Sequence, residues 1–462
     1  MNILNSPTDV DPRLPELEAT LKKGLLPLWI YNDSEIFRQE MERVFAKKWI
    51  FMAHETEIPK SGDFVARTIG VDPFIVVRGN DGVVRVLFDS CRHKGARVCR
   101  ADKGNARSFV CPYHGWTYDT AGKLSGIPLK DAGYKTLNQA EWGLMAAPRV
   151  GVYRGLIFAT LDSAAPSLDD FLGDIKWYLD LHLCLSPQGM EVVGEPHRWN
   201  IDADWKSGSD NFAGDAYHTQ SLHRSVVRIG VVAPEVSGAA GRKLNNNNVH
   251  ITECSGHTTN FRCTDPGNVF FWGYPETVQK HFTCEQLVPA QKDIAQRSMV
   301  HTGTVFPNLS FLHLSVTSTP GEPVAPFLSL RQWNPIGPGK MEARSWVLVP
   351  KEASPEYKSL AYKTAVATFS PSGSFEQDDS TAWAGISRAA GSMFARSSGQ
   401  LLNFQMGLPG MSEANVMQTW PGPGIAYDTN LEEGVQRTFY RHWLTTLLDK
   451  GQKETSGELV AK

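Results

Sequence analysis

The chain has 462 residues, of which 41% are hydrophobic and 21% are charged, with a formal net charge of −3. This composition is that of an ordinary globular protein, and the length favours two domains. The absence of a basic excess argues against nucleic acid as a partner. No window has the length and apolarity of a signal peptide or a membrane span, so the sequence predicts a cytoplasmic protein that enters no membrane.

The first predicted elements belong to an N-terminal helical segment, residues 1–46, which we expect to pack on the later catalytic domain. A helix is predicted over 33–48, because apolar side chains recur there at helical spacing. Short β-branched runs follow, with a hairpin turn predicted at Asn80-Asp81-Gly82. These runs predict a small all-β domain over residues 47–167.

Residues 168–462 mix helical and strand patterns and predict a larger catalytic domain, so the fold class is α+β. The predicted helices are 169–181, 206–226, 355–369 and 431–449. Three apolar runs between 298 and 349 are expected to pair in an antiparallel sheet covered by helices. The polar, weakly periodic stretch 225–290 indicates a lid or a binding loop.

Two short motifs in the all-β domain each combine a cysteine with a histidine. They are Cys91-Arg-His93 and Cys111-Pro-Tyr-His114, and each follows a predicted strand, where a tight loop aims both side chains at one point. A Rieske [2Fe–2S] cluster takes two thiolates on one iron and two imidazoles on the other. The motifs therefore predict such a cluster. Cys99, which lies between them, is expected to be a buried thiol.

A structural zinc site with two cysteines and two histidines is the alternative. Such sites usually present a cysteine pair and then a histidine pair on a helix, whereas here each half is mixed and flanked by strands. The seven cysteines are scattered and odd in number, which favours thiols or metal ligands over disulfides. Trp116 and Tyr113 are expected to shield the cluster.

A second group of polar residues lies between Trp205 and His223. On a helix, Asn211, Asp215 and His218 would share one face, because they fall at i, i+4 and i+7. His223 would not converge with His218 on an ideal helix, which predicts a break between the two histidines. Two histidines and one carboxylate form the facial triad of non-haem Fe(II) oxygenases.

The carboxylate of this triad has two candidate sources. Asp215 is one turn from His218, but it is equally well placed to fix the tautomer of that histidine. The other source is the run Phe375-Glu376-Gln377-Asp378-Asp379, where three acids stand among small and apolar residues. A solvated helix start would also explain this run, because acids favour helix N-termini.

With both groups in view, the chain resembles, over nearly its whole length, the α-subunits of aromatic-ring-hydroxylating Rieske non-haem iron dioxygenases of the naphthalene, biphenyl and phthalate type. The matching motifs are C-x-H-x17-C-x2-H, NFxGDxYHxxxxH from Asn211, and FEQDD from Phe375. The resemblance implies that mononuclear Fe(II) is held by His218, His223 and Asp379. It assigns Asp215 to a bridge between His218 and His114 of a neighbouring subunit, and so implies a trimer of α-subunits, commonly α3β3 with a small β-subunit.

The expected reaction adds both atoms of O2 to an aromatic ring and gives a cis-dihydrodiol. No GxGxxG motif follows a strand, so electrons are expected from NAD(P)H through a separate ferredoxin or reductase. The resemblance places Asn211, Phe212, Phe369 and Phe375 at the substrate. One departure from many relatives is Asp210 in place of glutamate, a change expected to keep the charge.

The substrate is expected to be a polycyclic or monocyclic arene or an aromatic carboxylate such as phthalate. Four basic residues in or next to the 225–290 region favour a carboxylate, although they can equally face solvent. They are Arg224, Arg228, Arg242 and Lys243. A Rieske monooxygenase or demethylase would use the same two metal centres. A non-catalytic iron–sulfur electron-transfer protein would need only the first.

Overall fold

The computed structural model describes most of the chain. The described ranges are 10–233, 248–253, 255–408, 416–428 and 432–448. They fall into two compact units: Phe45–Leu168 forms the smaller unit, and the described residues before and after it form the larger unit. Within these ranges, none of the helices combines the length and the apolar character that crossing a bilayer requires.

The smaller unit consists of three antiparallel sheets of short strands. In sheet order they are Val84–Phe88, Asp72–Arg78, Asp63–Ile69 and Lys103–Asn105; Ser108–Val110, Thr117–Asp119 and Leu124–Gly126; and Arg149–Tyr153, Leu156–Thr160 and Ile50–His54. The predicted hairpin turn is confirmed, and Gly82 supplies its left-handed residue with φ +79°. Cys91 and Cys111 belong to the same buried core as Phe109 and Trp116, so both cysteine loops rest on packed apolar side chains.

The larger unit is organised around a nine-stranded antiparallel sheet. Its strands, in order, are Met190–Val192, Lys340–Pro350, Phe327–Gly337, Leu309–Leu314, Ser298–Val305, Thr258–Cys263, Asn248–Thr252 and Ile425–Asp428, with His197–Ile201 also paired to Lys340–Pro350. The three runs predicted between 298 and 349 are neighbours, as expected. A separate two-stranded sheet pairs Leu25–Pro27 with Leu401–Asn403. The α+β fold class is confirmed.

Helices pack on this sheet and bring the site residues to it. The α-helices of the described ranges outside the smaller unit are Leu14–Lys22, Ser34–Glu40, Leu168–Leu172, Ile175–Leu183, Trp205–Gly214, Arg224–Arg228, Glu276–Gln279, Pro289–Arg297, Pro355–Phe369, Glu376–Gly391, Met393–Ser398 and Gly434–Leu447. The helix predicted over 355–369 is found with the same bounds. Its start is well defined because Ser354 caps it and Pro355 occupies its first turn. The helix predicted over 33–48 is shorter: it ends at Glu40 and continues as a π-helical turn, Met41–Phe45.

The prediction of a lid or loop over 225–290 is wrong for part of that stretch. Asn248–Thr252 and Thr258–Cys263 are inner strands of the large sheet, each with a strand on both sides. These strands were not predicted because they contain many polar residues, whereas inner strands are usually continuous apolar runs. Here His250, Thr258 and Asn260 are at most 5% exposed despite their polarity.

Three buried histidines meet where the helix Ile175–Leu183 packs on the sheet. His182 Nδ1 lies 3.0 Å from His313 Nδ1, and the His182 ring stacks on His301 with centroids 4.4 Å apart. Tyr274 and Thr259 close the group through hydrogen bonds to His313 and His301. Burial lowers the pKa of each of the three histidines, to about 3 for His182. All three are therefore neutral in the folded protein near pH 7.

Candidate metal centres

The two Cys-His loops share one backbone frame. The Cys91 N–H donates to the Ala96 carbonyl at 2.8 Å, and the Cys91 carbonyl accepts from Gly95 N–H at 2.8 Å. Residues five and four positions after Cys111 make the equivalent bonds at 2.8 and 3.0 Å. Gly95 and Gly115 have φ values of +77° and +71°, which favour glycine. Local hydrogen bonds therefore form both loops in the same way. The histidines differ in position, since His93 is two residues after Cys91 and His114 is three residues after Cys111.

Both cysteines of these loops are buried and lie close together. Cys91 and Cys111 are 3% and 2% exposed, and Cys91 Sγ is 3.2 Å from the Tyr118 hydroxyl. Burial, together with the neighbouring Cys91, raises the pKa of the Cys111 thiol. A metal that binds there must therefore displace a proton. Cys99 is a separate buried thiol, as predicted.

The histidines of the loops complete a set that fits a Rieske cluster. The His93 and His114 rings lie 4.5 Å apart. His93 Nδ1 is buried and has no hydrogen-bond partner within the described ranges, while its Nε2 is 3.3 Å from the Tyr134 hydroxyl. Trp116 stacks on His93, as the shielding prediction requires, but Tyr113 is 62% exposed beside an exposed His114. Tyr113 still contacts the His114 ring, with centroids 3.8 Å apart, so the cover is buried at His93 and exposed at His114.

The second site begins at an unexpected helix end. The helix Trp205–Gly214 stops before Asp215, so the prediction that Asn211, Asp215 and His218 share a helical face is wrong. Gly214 has φ +152°, and a Cβ there would lie 2.9 Å from Val435. The chain then turns, and the backbone N–H of His218 donates to Asp215 Oδ1 at 3.2 Å. The predicted break therefore exists, but it begins before His218.

Three side chains converge where this turn meets the helix Glu376–Gly391. His218 Nε2 and His223 Nε2 lie 3.7 and 3.2 Å from Asp379 Oδ1. One ligand atom from each residue lies within 4.8 Å of the other two. Asp379 Oδ1 is buried and makes no hydrogen bond within the described part of the chain. Two imidazoles and an unpaired carboxylate oxygen fit a 2-His-1-carboxylate iron site.

In each of these histidines Nε2, the inner nitrogen, faces Asp379, and Nδ1, the outer nitrogen, faces another carboxylate. His218 Nδ1 is 3.3 Å from Asp215 Oδ2, and His223 Nδ1 is 3.5 Å from Asp378 Oδ2. Such partners fix the tautomer and direction of a ligating imidazole. Burial lowers the pKa of His218, but the adjacent Asp215 carboxylate outweighs burial and raises this pKa overall. The pairing of Asp378 was not predicted, although two adjacent acids in the motif were a signal for it.

The geometry separates the two candidate carboxylates. Asp379 faces the inner nitrogens of both histidines, whereas Asp215 faces only the outer nitrogen of His218. The acid run is not a solvated helix start, because Glu376 is 1% and Asp379 is 5% exposed. Burial and the charge of Asp215 raise the pKa of Asp210 well above its usual range, and Tyr440 donates a hydrogen bond to it. Asp210, the aspartate that replaces the glutamate of many relatives, therefore accepts a hydrogen bond from the helix Gly434–Leu447.

An aromatic side chain packs against His223, and a second one stacks on the first. The Phe375 ring is 5.0 Å from the His223 ring and stacks on Phe369 at 4.9 Å. Phe212 is buried against Trp333, and Asn211 is half-buried at the end of the helix Trp205–Gly214. Two of the basic residues that favoured a carboxylate substrate, Arg224 and Arg228, are exposed, and the other two, Arg242 and Lys243, lie outside the described residues.

Comparison with known proteins covers both units. Residues 48–142 match the family model of the Rieske [2Fe-2S] domain, and residues 168–447 match that of the ring hydroxylating alpha subunit, catalytic domain.

Individual relatives align over nearly the whole chain. The chain is 35% identical to the α-subunit of an N,N-dimethyl phenylurea N-demethylase from Sphingobium sp. (strain YBL2), over 95% of both chains. It is 34% identical to the α-subunit of biphenyl 2,3-dioxygenase from Rhodococcus jostii (strain RHA1), over 92% of this chain and 89% of that one. The crystal structure of naphthalene 1,2-dioxygenase from Rhodococcus sp. bound to indole matches with a TM-score of 0.87 at 42% identity, over 94% of this chain and 99% of that one.

Proposed function

The chain belongs to the family of ring-hydroxylating oxygenase α-subunits with a Rieske domain, and on that premise we propose that it adds both atoms of O2 to an aromatic ring to give a cis-dihydrodiol. The observation that carries this proposal is the convergence of His218, His223 and Asp379 on one point. Three protein ligands on one side of an iron leave positions open for O2.

Each metal centre has its own set of proposed ligands. The [2Fe–2S] cluster would be held by Cys91, His93, Cys111 and His114, and the mononuclear Fe(II) by His218, His223 and Asp379. When bound, the cluster supplies electrons and the iron activates O2. Asp215 and Asp378 hold the two imidazoles by their outer nitrogens and keep the inner nitrogens directed at Asp379. Burial of His223 and Asp379 excludes water from that side of the site.

The proposed partners follow from the positions of His114 in the first metal centre and Asp215 beside the second. His114 is exposed, and Asp215 lies at the outer nitrogen of His218. We place Asp215 between His218 and the His114 of a neighbouring subunit; such a bridge needs an oligomer, and the family resemblance implies a trimer of α-subunits, commonly α3β3 with a small β-subunit. Proteins of this family are the α-subunits of multicomponent oxygenases. The electrons would come from NAD(P)H through a ferredoxin or reductase.

The proposed substrate is an arene or an aromatic carboxylate. Phe212, Phe369 and Phe375 would contact the ring, because flat aromatic walls suit a planar substrate. Asn211 is the polar residue assigned to the same pocket. Two of the three named relatives act on biphenyl and naphthalene, which favours an unsubstituted arene as the first compound to test.

A second candidate reaction is oxidative N-demethylation with a single oxygen atom. It is favoured by the 35% identical relative named for an N,N-dimethyl phenylurea. The two reactions differ in the fate of oxygen, since a dioxygenase places both labelled atoms in the product.

The test is turnover under labelled O2 with a surrogate ferredoxin and reductase. The panel would contain naphthalene, biphenyl, phthalate and an N,N-dimethyl phenylurea. A diol carrying two labelled atoms supports the proposal, whereas release of formaldehyde with a demethylated urea that carries no labelled atom favours demethylation. No Fe(II)-dependent O2 consumption with any compound would contradict both reactions and leave an electron-transfer protein.

A further inference from the structure

A buried ion pair lies behind the proposed pocket. Arg331, on the strand Phe327–Gly337, donates through Nη1 to Glu376 Oε2, and both side chains are 1% exposed. Its Nη2 donates to the Phe369 carbonyl at 3.0 Å. Burial raises the pKa of Glu376, and the charge of Arg331 opposes that rise. The pair is therefore a desolvated charge contact at the first turn of the helix that carries Asp379.

The guanidinium of Arg331 is also surrounded by aromatic rings. Its central carbon lies 5.3 Å from the ring centroids of Phe212 and Phe369, 5.6 Å from that of Trp333 and 5.9 Å from that of Trp199. Cations at such distances are attracted to the faces of aromatic rings. A planar guanidinium can stack on rings and donate two directed hydrogen bonds at once, which an ammonium cannot do.

These contacts join the three segments that carry the proposed iron and substrate site. Phe212 belongs to the helix Trp205–Gly214, which leads directly into Asp215. Phe369 ends the helix Pro355–Phe369 and stacks on Phe375, whose ring is 5.0 Å from His223. Glu376 begins the helix that presents Asp378 and Asp379. One side chain thus touches all three segments.

Stability alone is a weak reason for such a pair. A buried ion pair can often be replaced by uncharged residues of similar volume with little loss of stability, whereas removal of one partner leaves an uncompensated charge. The distinctive property of Arg331 is that its contacts hold Phe212, Phe369 and Glu376 in one arrangement. Displacements of about 1 Å at a site of this kind change rates about a hundredfold.

We propose that Arg331 is a positioning residue, which fixes the aromatic wall relative to the ligand Asp379 and thereby determines which edge of the substrate ring faces the iron. The part of this inference that concerns the substrate ring rests on the proposed function. The effect of Arg331 on the geometry of Asp379 does not depend on which substrate is oxidised.

The test is a double-mutant cycle of Arg331→Met, Glu376→Gln and the double variant. Each single variant leaves one buried charge or one buried polar group unmatched, so both should lower the Tm. The double variant should recover most of that Tm, because no unpaired charge remains. It should still bind Fe(II) about tenfold more weakly in competition with a chelator and change the ratio of product regioisomers from biphenyl.

A matched control is available in the same unit. Arg437 and Glu432 form another buried pair, and Arg437 donates to the carbonyls of Phe404 and Met406 instead of to site segments. The variant Arg437→Met/Glu432→Gln should leave the Fe(II) affinity and the product ratio unchanged.

The outcomes separate positioning from a structural role. Wild-type Fe(II) affinity and product ratio in the folded double variant would overturn the proposal. If that variant does not fold, Arg331→Lys replaces it, since lysine keeps the charge but cannot make the paired contacts; an unchanged affinity and ratio in Arg331→Lys would then overturn it. If the wild-type protein oxidises no arene, the proposed function fails, while the Fe(II) competition still tests Arg331.

Discussion

Acidification should destabilise the larger unit through its buried histidines. His182 is 1% exposed and has a pKa of about 3 in the folded protein, whereas an unfolded histidine titrates near 6.5. As the pH falls, the unfolded chain therefore takes up the proton first. The contribution of His182 to stability is complete above about pH 6.5 and is lost progressively down to about pH 3.

The magnitude follows from the separation of these two pKa values. Between about pH 7 and pH 5 the unfolded histidine becomes almost fully protonated and His182 stays neutral, so the free energy of unfolding falls by about 2 kcal/mol. His301 and His313 have pKa values lowered by the same burial and act in the same direction. All three contributions therefore have the same sign, and each is lost as the pH falls.

Urea titrations at several pH values would measure this effect. His182→Gln removes one titrating group, so its free energy of unfolding should fall less steeply below pH 6.5, by about 1.4 kcal/mol per pH unit. His281→Gln, at a half-buried position, serves as the matched control. Metal-linked titration is common to all the proteins compared and cancels in the difference. Equal slopes for wild type and His182→Gln would refute the reasoning.

Other predictions concern the two metal centres. Asp215→Asn should keep the visible spectrum of the cluster and abolish turnover, because the charge beside His218 is lost; wild-type turnover would remove the bridging role. Asp378→Asn should weaken Fe(II) binding about tenfold, and Asp379→Asn should weaken it far more, as measured by chelator competition; equal losses would contradict their different roles. Gly115→Ala should reduce cluster content measured by iron and sulfide analysis, because φ is +71° and Pro128 lies 2.9 Å from the new Cβ.

Features that depend on neighbouring residues could be predicted from the sequence. The cysteine loops are formed by bonds between residues four and five positions apart, so motif and geometry coincide. The helix Pro355–Phe369 carries its own start signals, a serine cap followed by proline. The sequence also contained both candidate carboxylates of the iron site, but it could not choose between them without the resemblance.

Features that depend on distant packing could not be predicted. The helix ends at Gly214 against Val435 and Asn260, which are remote in sequence. The strand Asn248–Thr252 reads as polar, and its burial comes from strands on both sides. Arg331 looks like an ordinary strand residue until Glu376 and four aromatic rings surround it. Tertiary context outweighed local pattern at each of these positions.

The proposed iron site has a buried side and a more exposed side, because the helix Trp205–Gly214 ends before His218. His223 and Asp379 have side chains only 3% and 8% exposed, whereas the His218 side chain is 19% exposed and lies on a turn whose neighbour Tyr217 is 59% exposed. Segments with few buried contacts yield first to thermal motion or to a bound partner. Any such displacement would therefore act first on His218, so the proposed metal site would respond to the protein surface through one of its three proposed ligands.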